Sequence, residues 1–129
     1  MTHLYRIWLQ LARTTGFPEG SDKHGYVFAA PLDESAHIDV ETWRRLKDKC
    51  RVTRFWGEEP VQHGVLRHVG HGWRFDYEKS STEDDEPFFK LDQHELKVGN
   101  YVSVTEHDGI QRPFRVMSVE RVRDMEQVS

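Results

Sequence analysis

The chain has 129 residues, of which 36% are hydrophobic and 31% are charged, and its formal net charge is −4. This length fits a single domain, residues 1 to 129, with one core, and the hydrophobic content is typical of a folded protein. A negative net charge disfavours binding to nucleic acid or to an anionic membrane, because both require a surplus of lysine and arginine. The single cysteine excludes an internal disulfide bond, so a reducing cytoplasm is the expected compartment.

Residues 4 to 13 are predicted to form the first β-strand. Their apolar side chains alternate along the chain: Tyr5, Ile7, Leu9 and Leu11. Some of the same residues also fall at helical spacing, but aromatic and branched side chains favour a strand. Arg6 and Gln10 interrupt the apolar run and no basic segment precedes it, so neither a signal peptide nor a membrane span is expected.

Residues 14 to 25 contain three glycines and a proline and predict a loop. A second strand is expected over residues 24 to 31 and is predicted to end at Pro31. Its inward face is expected to carry three side chains: Tyr26, Phe28 and Ala30.

A helix is predicted from Asp39, which is placed to cap it, to about Lys49. The apolar residues over this segment recur at helical spacing: Val40, Trp43, Leu46 and Cys50. Cys50 falls at the C-terminal end, where the helix dipole disfavours a thiolate. We therefore expect a buried structural thiol there and not a nucleophile.

Six further short strands are expected, and the last two form a hairpin in which Glu106 lies opposite Arg112 and Val104 lies opposite Phe114. The six segments are residues 51 to 56, 65 to 69, 73 to 77, 88 to 91, 100 to 104 and 114 to 119. An acidic mobile loop is expected over residues 78 to 87 and a charged tail over residues 120 to 129. The predicted fold is α+β and mainly antiparallel, a small barrel or strongly bent sheet of about seven strands with one helix near residues 39 to 49.

The segment HGVLRHVGHGW, residues 63 to 73, carries three histidines and raises the question of a metal site. Two imidazoles that share an ion must place their nitrogens within about 4 Å of each other. His63 and His68 are five residues apart, which in a strand is about 16 Å and on opposite faces. We therefore predict no metal site in this segment.

The same segment predicts a β-hairpin whose two-residue turn is His71-Gly72. This register places Arg67 opposite Asp76 and His68 opposite Phe75. His68 then lies on the face that carries three aromatic side chains: Trp73, Phe75 and Tyr77. His68 is expected to pack against these rings.

No motif predicts catalysis. The chain has no G-x-S-x-G elbow, no phosphate-binding loop and no dinucleotide fingerprint. The acidic run near residue 84 lacks the spacing of a calcium loop. We accordingly predict no catalytic residue, no metal and no cofactor.

Two alternatives stay open. Arginines could share one sheet face with aromatic rings and bind single-stranded nucleic acid, although the aromatics could equally face the core. The residues concerned are Arg51, Arg54, Arg67 and Arg74, with Phe55, Trp56 and Trp73. An enzyme could pair His24 with a carboxylate, or could bind flavin, because residues 97 to 119 resemble the strand–loop–strand of flavin-dependent reductases. In that comparison Phe114-Arg115 stands where Tyr-Ser is expected.

Three segments, HGYVFAAPLDESAHIDVETW (residues 24 to 43), CRVTRFW (50 to 56) and GNYVSV (99 to 104), are similar to a family of short bacterial proteins of unassigned function. The resemblance covers residues 5 to 119, implies a small cytosolic protein and transfers no catalytic residue. We predict a non-enzymatic cytoplasmic domain that binds an unidentified protein or small molecule, in an oligomeric state that the sequence leaves open. Its contact surface is expected where five side chains could converge: Tyr26, Arg54, Trp56, His68 and Trp73.

Overall fold

The computed structural model describes residues 2 to 70, 72 to 77, 86 to 89, 95 to 106 and 109 to 122. Within them lie eight strands, the helix α1 over Val40–Leu46, and a turn of 3₁₀ helix over Lys47–Lys49. The strands are β1 His3–Leu11, β2 Ser21–Leu32, β3 Arg51–Trp56, β4 Gln62–Val69, β5 Gly72–Tyr77, β6 Glu86–Phe89, β7 Tyr101–Thr105 and β8 Gln111–Arg121.

The strands form a barrel in which each strand pairs antiparallel with the next and β8 pairs with β1. The predicted α+β class and small-barrel architecture are confirmed, with eight strands in place of about seven. Helix α1 lies in the connection between β2 and β3. Because β2 ends and β3 begins at the same end of the barrel, the helix covers that end.

The inside of the barrel is filled by the inward-facing side chains of alternate strand positions. Ten of the large side chains among the described residues are almost completely buried: Trp73, Tyr26, Phe28, Phe75, Phe114, Ile7, Leu9, Leu11, Leu66 and Leu96. The barrel interior is therefore the core of the domain, so a ligand site has to lie at an end or on the outside.

The first two strands agree with the predicted faces and differ in their bounds. β1 is a strand, as its alternation predicts, and β2 begins at Ser21, inside the predicted loop. β2 also continues through Pro31 to Leu32. Pro31 is tolerated because β3 pairs with β2 only as far as Phe28, while Leu4 of β1 lies opposite the proline.

The hairpin of β4 and β5 forms, but its predicted register was wrong by two residues. His68 lies opposite Trp73 and Arg67 opposite Arg74. The turn begins one residue earlier than predicted because Gly70 adopts a φ of 62°, which glycine reaches without steric cost, and this moves the pairing by two residues. A shift of two residues keeps every side chain on its predicted face.

The hairpin of β7 and β8 is displaced in the same way. Val104 lies opposite Arg112 and Val102 opposite Phe114, so the predicted pairing of Glu106 with Arg112 was wrong as a register. The loop begins one residue earlier than predicted because Gly109 adopts a φ of 82° and its N–H donates to the Glu106 carbonyl at 2.8 Å, while the Glu106 N–H donates to the Ile110 carbonyl at 3.1 Å. Residues 107 and 108 lie outside the described residues.

Helix α1 begins after Asp39, as predicted, and its last turn tightens into the 3₁₀ helix. The Asp39 carbonyl accepts the Trp43 N–H at 2.9 Å, whereas the Asp39 carboxylate accepts the Thr42 hydroxyl and no backbone N–H. Trp43 and Cys50 of the predicted apolar stripe are buried.

Strands β6 and β8 extend into the segments predicted as loop and tail. β6 includes residues 86 and 87, and the rest of the predicted acidic loop lies outside the described residues. β8 includes Glu120 and Arg121 because they pair with Arg6 and Tyr5 of β1, while residues 123 to 129 lie outside the described residues. In the described part of the chain, no helix has the length and apolar character needed to cross a membrane.

Candidate functional site

The five predicted contact residues lie at two different ends of the barrel. Arg54 is opposite Gln62 at the start of β4, and His68 is six residues further along the same strand. Six strand residues span about 20 Å. Arg54 and His68 therefore do not converge, and they belong to two separate clusters at opposite ends of the barrel.

The end covered by helix α1, here named the Trp43 end, consists of Trp43, Cys50, His68 and Trp73. The His68 and Trp73 ring centroids are 4.5 Å apart, and those of Trp43 and Trp73 are 5.5 Å apart. The Trp43 indole N–H donates to the Leu66 carbonyl at 3.0 Å. His68 thus packs against aromatic rings, as predicted, and the fully buried Trp73 has no surface to offer a ligand.

The opposite end, here named the Trp56 end, consists of His24, Tyr26, Arg54, Trp56, Glu106 and Arg112. At its centre the Glu106 carboxylate, which is almost fully buried, accepts four hydrogen bonds from three side chains. They come from the Tyr26 hydroxyl at 2.6 Å, Arg54 Nη2 at 3.1 Å and Nε at 3.4 Å, and Arg112 Nη1 at 2.9 Å. The three donor side chains compensate for the cost of burying the charge.

Sequence reasoning missed the central role of Glu106. Val102 and Val104 of β7 face the barrel interior, and the same alternation directs Glu106 inwards. The sequence reasoning used Glu106 only as the cross-strand ion-pair partner of Arg112; that ion pair is formed, but the burial of Glu106 and its contacts with Tyr26 and Arg54 were not expected.

The Trp56 ring lies between charged and aromatic neighbours. The guanidinium carbons of Arg54 and Arg112 are 4.5 Å and 5.7 Å from its centroid, and the His24 ring meets it edge-on at 4.5 Å. Cations at such distances are attracted to an indole face. His24 and Trp56 are half-buried, so part of each ring reaches solvent.

His24 is held by local contacts. Its Nδ1 is 2.6 Å from the Ser21 hydroxyl oxygen, which also accepts the Lys23 N–H at 3.2 Å. Partial burial lowers the pKa of His24 and the positive charge of Arg54 lowers it further, while Glu106 and Glu59 act in the opposite direction. In the described part of the structure His24 is hydrogen-bonded to Ser21 and not to a carboxylate, so the acid–base pair that was left open as an alternative is not formed there.

Cys50, His63 and His68 do not join this cluster. Cys50 is fully buried, and burial raises the pKa of its thiol to about 12. His63 is exposed and 3.3 Å from the Thr53 hydroxyl, whereas His68 faces inwards, so these two imidazoles diverge as predicted. His71 lies outside the described residues, and the described residues contain no group of three side chains suited to a metal ion.

The face of arginines and aromatics that was left open as an alternative is divided by the barrel wall. Arg54 and Trp73 point inwards, while Arg51, Arg67 and Arg74 alternate outwards. Arg67 forms an ion pair with Asp76 at 2.7 Å on the outer surface. These residues therefore do not form a common surface for bases and phosphates.

The residues compared with flavin-dependent reductases are also divided by the barrel wall. Phe114 is fully buried in the barrel and Arg115 is exposed on its outer face. No family model, curated protein or solved structure matches this chain. The resemblance to short bacterial proteins stays a prediction.

Proposed function

We propose that the chain is a non-enzymatic domain that binds a small anionic ligand with a flat ring at the Trp56 end. The observation that carries this proposal is the placement of the half-exposed Trp56 ring against two guanidinium groups that share one buried carboxylate. Such an arrangement presents an aromatic surface and a cation side by side.

Arg112 is the group that supports recognition of an anion. Its side chain is 17% exposed, whereas that of Arg54 is 4% exposed, so Arg112 is the one that solvent reaches more easily. A ligand carboxylate would accept charge-assisted hydrogen bonds from Arg112 while the attached ring packs against Trp56 and His24.

Glu106 contributes by fixing the geometry. Its carboxylate accepts hydrogen bonds from Arg54 and Arg112 and holds both guanidinium groups in place, so neither has to be ordered when a ligand binds. Preorganisation of this kind strengthens binding because less side-chain entropy is lost. Among the described residues the thiol of Cys50 lies at the other end with a raised pKa, which favours binding over covalent chemistry as the role of this end.

Calorimetric titration with naphthoate, and with its neutral amide as the matched compound, tests the proposal. We expect naphthoate to bind with one-to-one stoichiometry and the amide to bind at least about tenfold more weakly, since charge-assisted hydrogen bonds are the stronger ones. Arg112→Gln should weaken naphthoate binding by a similar factor.

Arg67→Gln is the matched control, because it removes the same charge from the outer surface. It should leave the affinity for naphthoate unchanged. Equal binding of naphthoate and its amide, or equal losses in both arginine variants, would contradict the proposal.

A further inference from the structure

A second concave surface lies on the outer face of the barrel, away from the Trp56 end. It is a groove of about 570 Å³ across β1, β8 and β7, next to the loop that follows β1. Arg115 of β8 lies opposite Gln10 of β1 on one side and opposite Tyr101 of β7 on the other. The three side chains thus form one row across three neighbouring strands on the solvent side.

The groove combines an exposed aromatic ring with two cations. Tyr101 is 56% exposed, and both Arg13 and Arg115 are exposed. Neither arginine forms an ion pair or a side-chain hydrogen bond with any residue that the structure describes. Glu19 is the one carboxylate that the described residues contribute to the groove lining, and it forms no ion pair with either arginine.

Backbone hydrogen bonds hold the loop that forms one side of the groove. The Ala12 N–H donates to the Pro113 carbonyl at 2.9 Å, which attaches the loop to β8. Thr14 and Phe17 exchange two backbone hydrogen bonds, at 3.0 Å and 2.8 Å. Arg13 and Glu19 therefore stand on a loop that is hydrogen-bonded both to itself and to the sheet.

We infer that this groove binds single-stranded nucleic acid, with one base stacked on Tyr101 and the two phosphates that flank it on Arg13 and Arg115. One ring and two cations match the chemistry of one nucleotide with its neighbouring phosphates. A duplex would not fit this scheme, because the faces of its bases are covered by stacking.

The negative net charge limits this binding and does not exclude it. The groove itself carries two arginines and one glutamate, so its local charge is positive while that of the whole chain is −4. Two phosphate contacts predict a salt slope of about −1.4 for a single strand. Binding is therefore expected to be weak, local and only moderately dependent on salt.

Fluorescence anisotropy with a labelled thymidine oligonucleotide of about ten nucleotides tests the inference, since thymine stacks without needing base-specific contacts. Raising the salt from about 50 to about 200 mM should weaken binding about sevenfold, as the expected slope requires. Tyr101→Leu should weaken it about tenfold. The double variant Arg13→Gln/Arg115→Gln should weaken it more and should remove the salt dependence, whereas Glu19→Gln should strengthen it.

Two controls separate this site from general electrostatics and from the proposed ligand site. Arg67→Gln, which removes an outer charge elsewhere, and Arg112→Gln, at the Trp56 end, should both leave oligonucleotide binding unchanged. The inference is wrong if the oligonucleotide does not bind at about 50 mM salt, where electrostatic contacts are strongest. It is also wrong if Arg67→Gln weakens binding as much as the groove variants do, or if a duplex of equal length binds equally well.

Discussion

The two ends of the barrel are closed by different chemistry. At the Trp43 end, helix α1 covers aromatic rings that pack edge to face, and the Trp43 indole N–H donates to the Leu66 carbonyl. At the Trp56 end, no helix of the described structure covers the interior, and a buried carboxylate binds Tyr26 and two arginines. One end excludes water by apolar burial, and the other depends on a complete set of hydrogen bonds.

In the proposed function the two ends have different roles: the Trp43 end stabilises the fold and the Trp56 end binds the ligand. Burial of aromatic side chains stabilises the Trp43 end directly. A buried ion network adds little net stability, since desolvation of its charges offsets their attraction. In the proposed function, the network under the half-exposed rings orients Arg54 and Arg112.

The largest expected effect is the loss of the Glu106 charge. Glu106→Gln leaves two guanidinium groups in the barrel without their shared carboxylate, and we expect the free energy of unfolding to fall by about 3–5 kcal/mol. Urea unfolding measures this change. Glu41→Gln is the control. Both side chains of the Glu41–Arg44 ion pair are exposed, so the pair should contribute no more than about 0.5 kcal/mol to the free energy of unfolding. Equal effects of the two substitutions would show that Glu106 is not buried with its charge.

A smaller effect is expected at the Trp43 end. Trp43→Phe removes the donor to the Leu66 carbonyl and leaves a small cavity, so unfolding should become easier by about 1–3 kcal/mol. Binding of naphthoate should not change, because this end takes no part in it. Loss of naphthoate binding in a folded Trp43→Phe variant would contradict the separation of the two ends.

The smallest effect is a pH dependence at the Trp56 end. Because the pKa of His24 lies below 6.5 in the folded chain, the unfolded chain binds a proton more readily. The contribution of His24 to stability is therefore complete above 6.5 and is lost as the pH falls from there towards the folded-state pKa. Urea unfolding at several pH values should show a shallower decline for His24→Gln than for the wild type. An identical decline would contradict the lowered pKa.

Most of the fold was predictable because its signals are local. Alternation of apolar residues identified β1 and the inward face of β2, and helical spacing identified α1. Both hairpin registers were missed by two residues. Register depends on which residues of the turn take unusual backbone angles, and the glycine at position 70 competed with the one at position 72 for that role.

The candidate site was only partly predictable for a different reason. Tyr26, Arg54 and Trp56 belong to adjacent strands, and Tyr26 lies directly opposite Arg54. Side-chain alternation tells which residues face the barrel interior, but it does not tell at which end of the barrel they lie. His68 and Trp73 were therefore grouped with residues from the other end, and Glu106 was left out.

The most direct test of the proposed ligand site follows the four tryptophan indole N–H signals by nuclear magnetic resonance during a naphthoate titration. Each tryptophan reports a different environment, and single Trp→Phe variants assign the signals. If the Trp56 end binds the ligand, the Trp56 signal shifts with saturation while those of Trp43 and Trp73 stay in place. A saturating shift of Trp43 or Trp73 without one of Trp56, or no shift of any signal, would contradict the proposal.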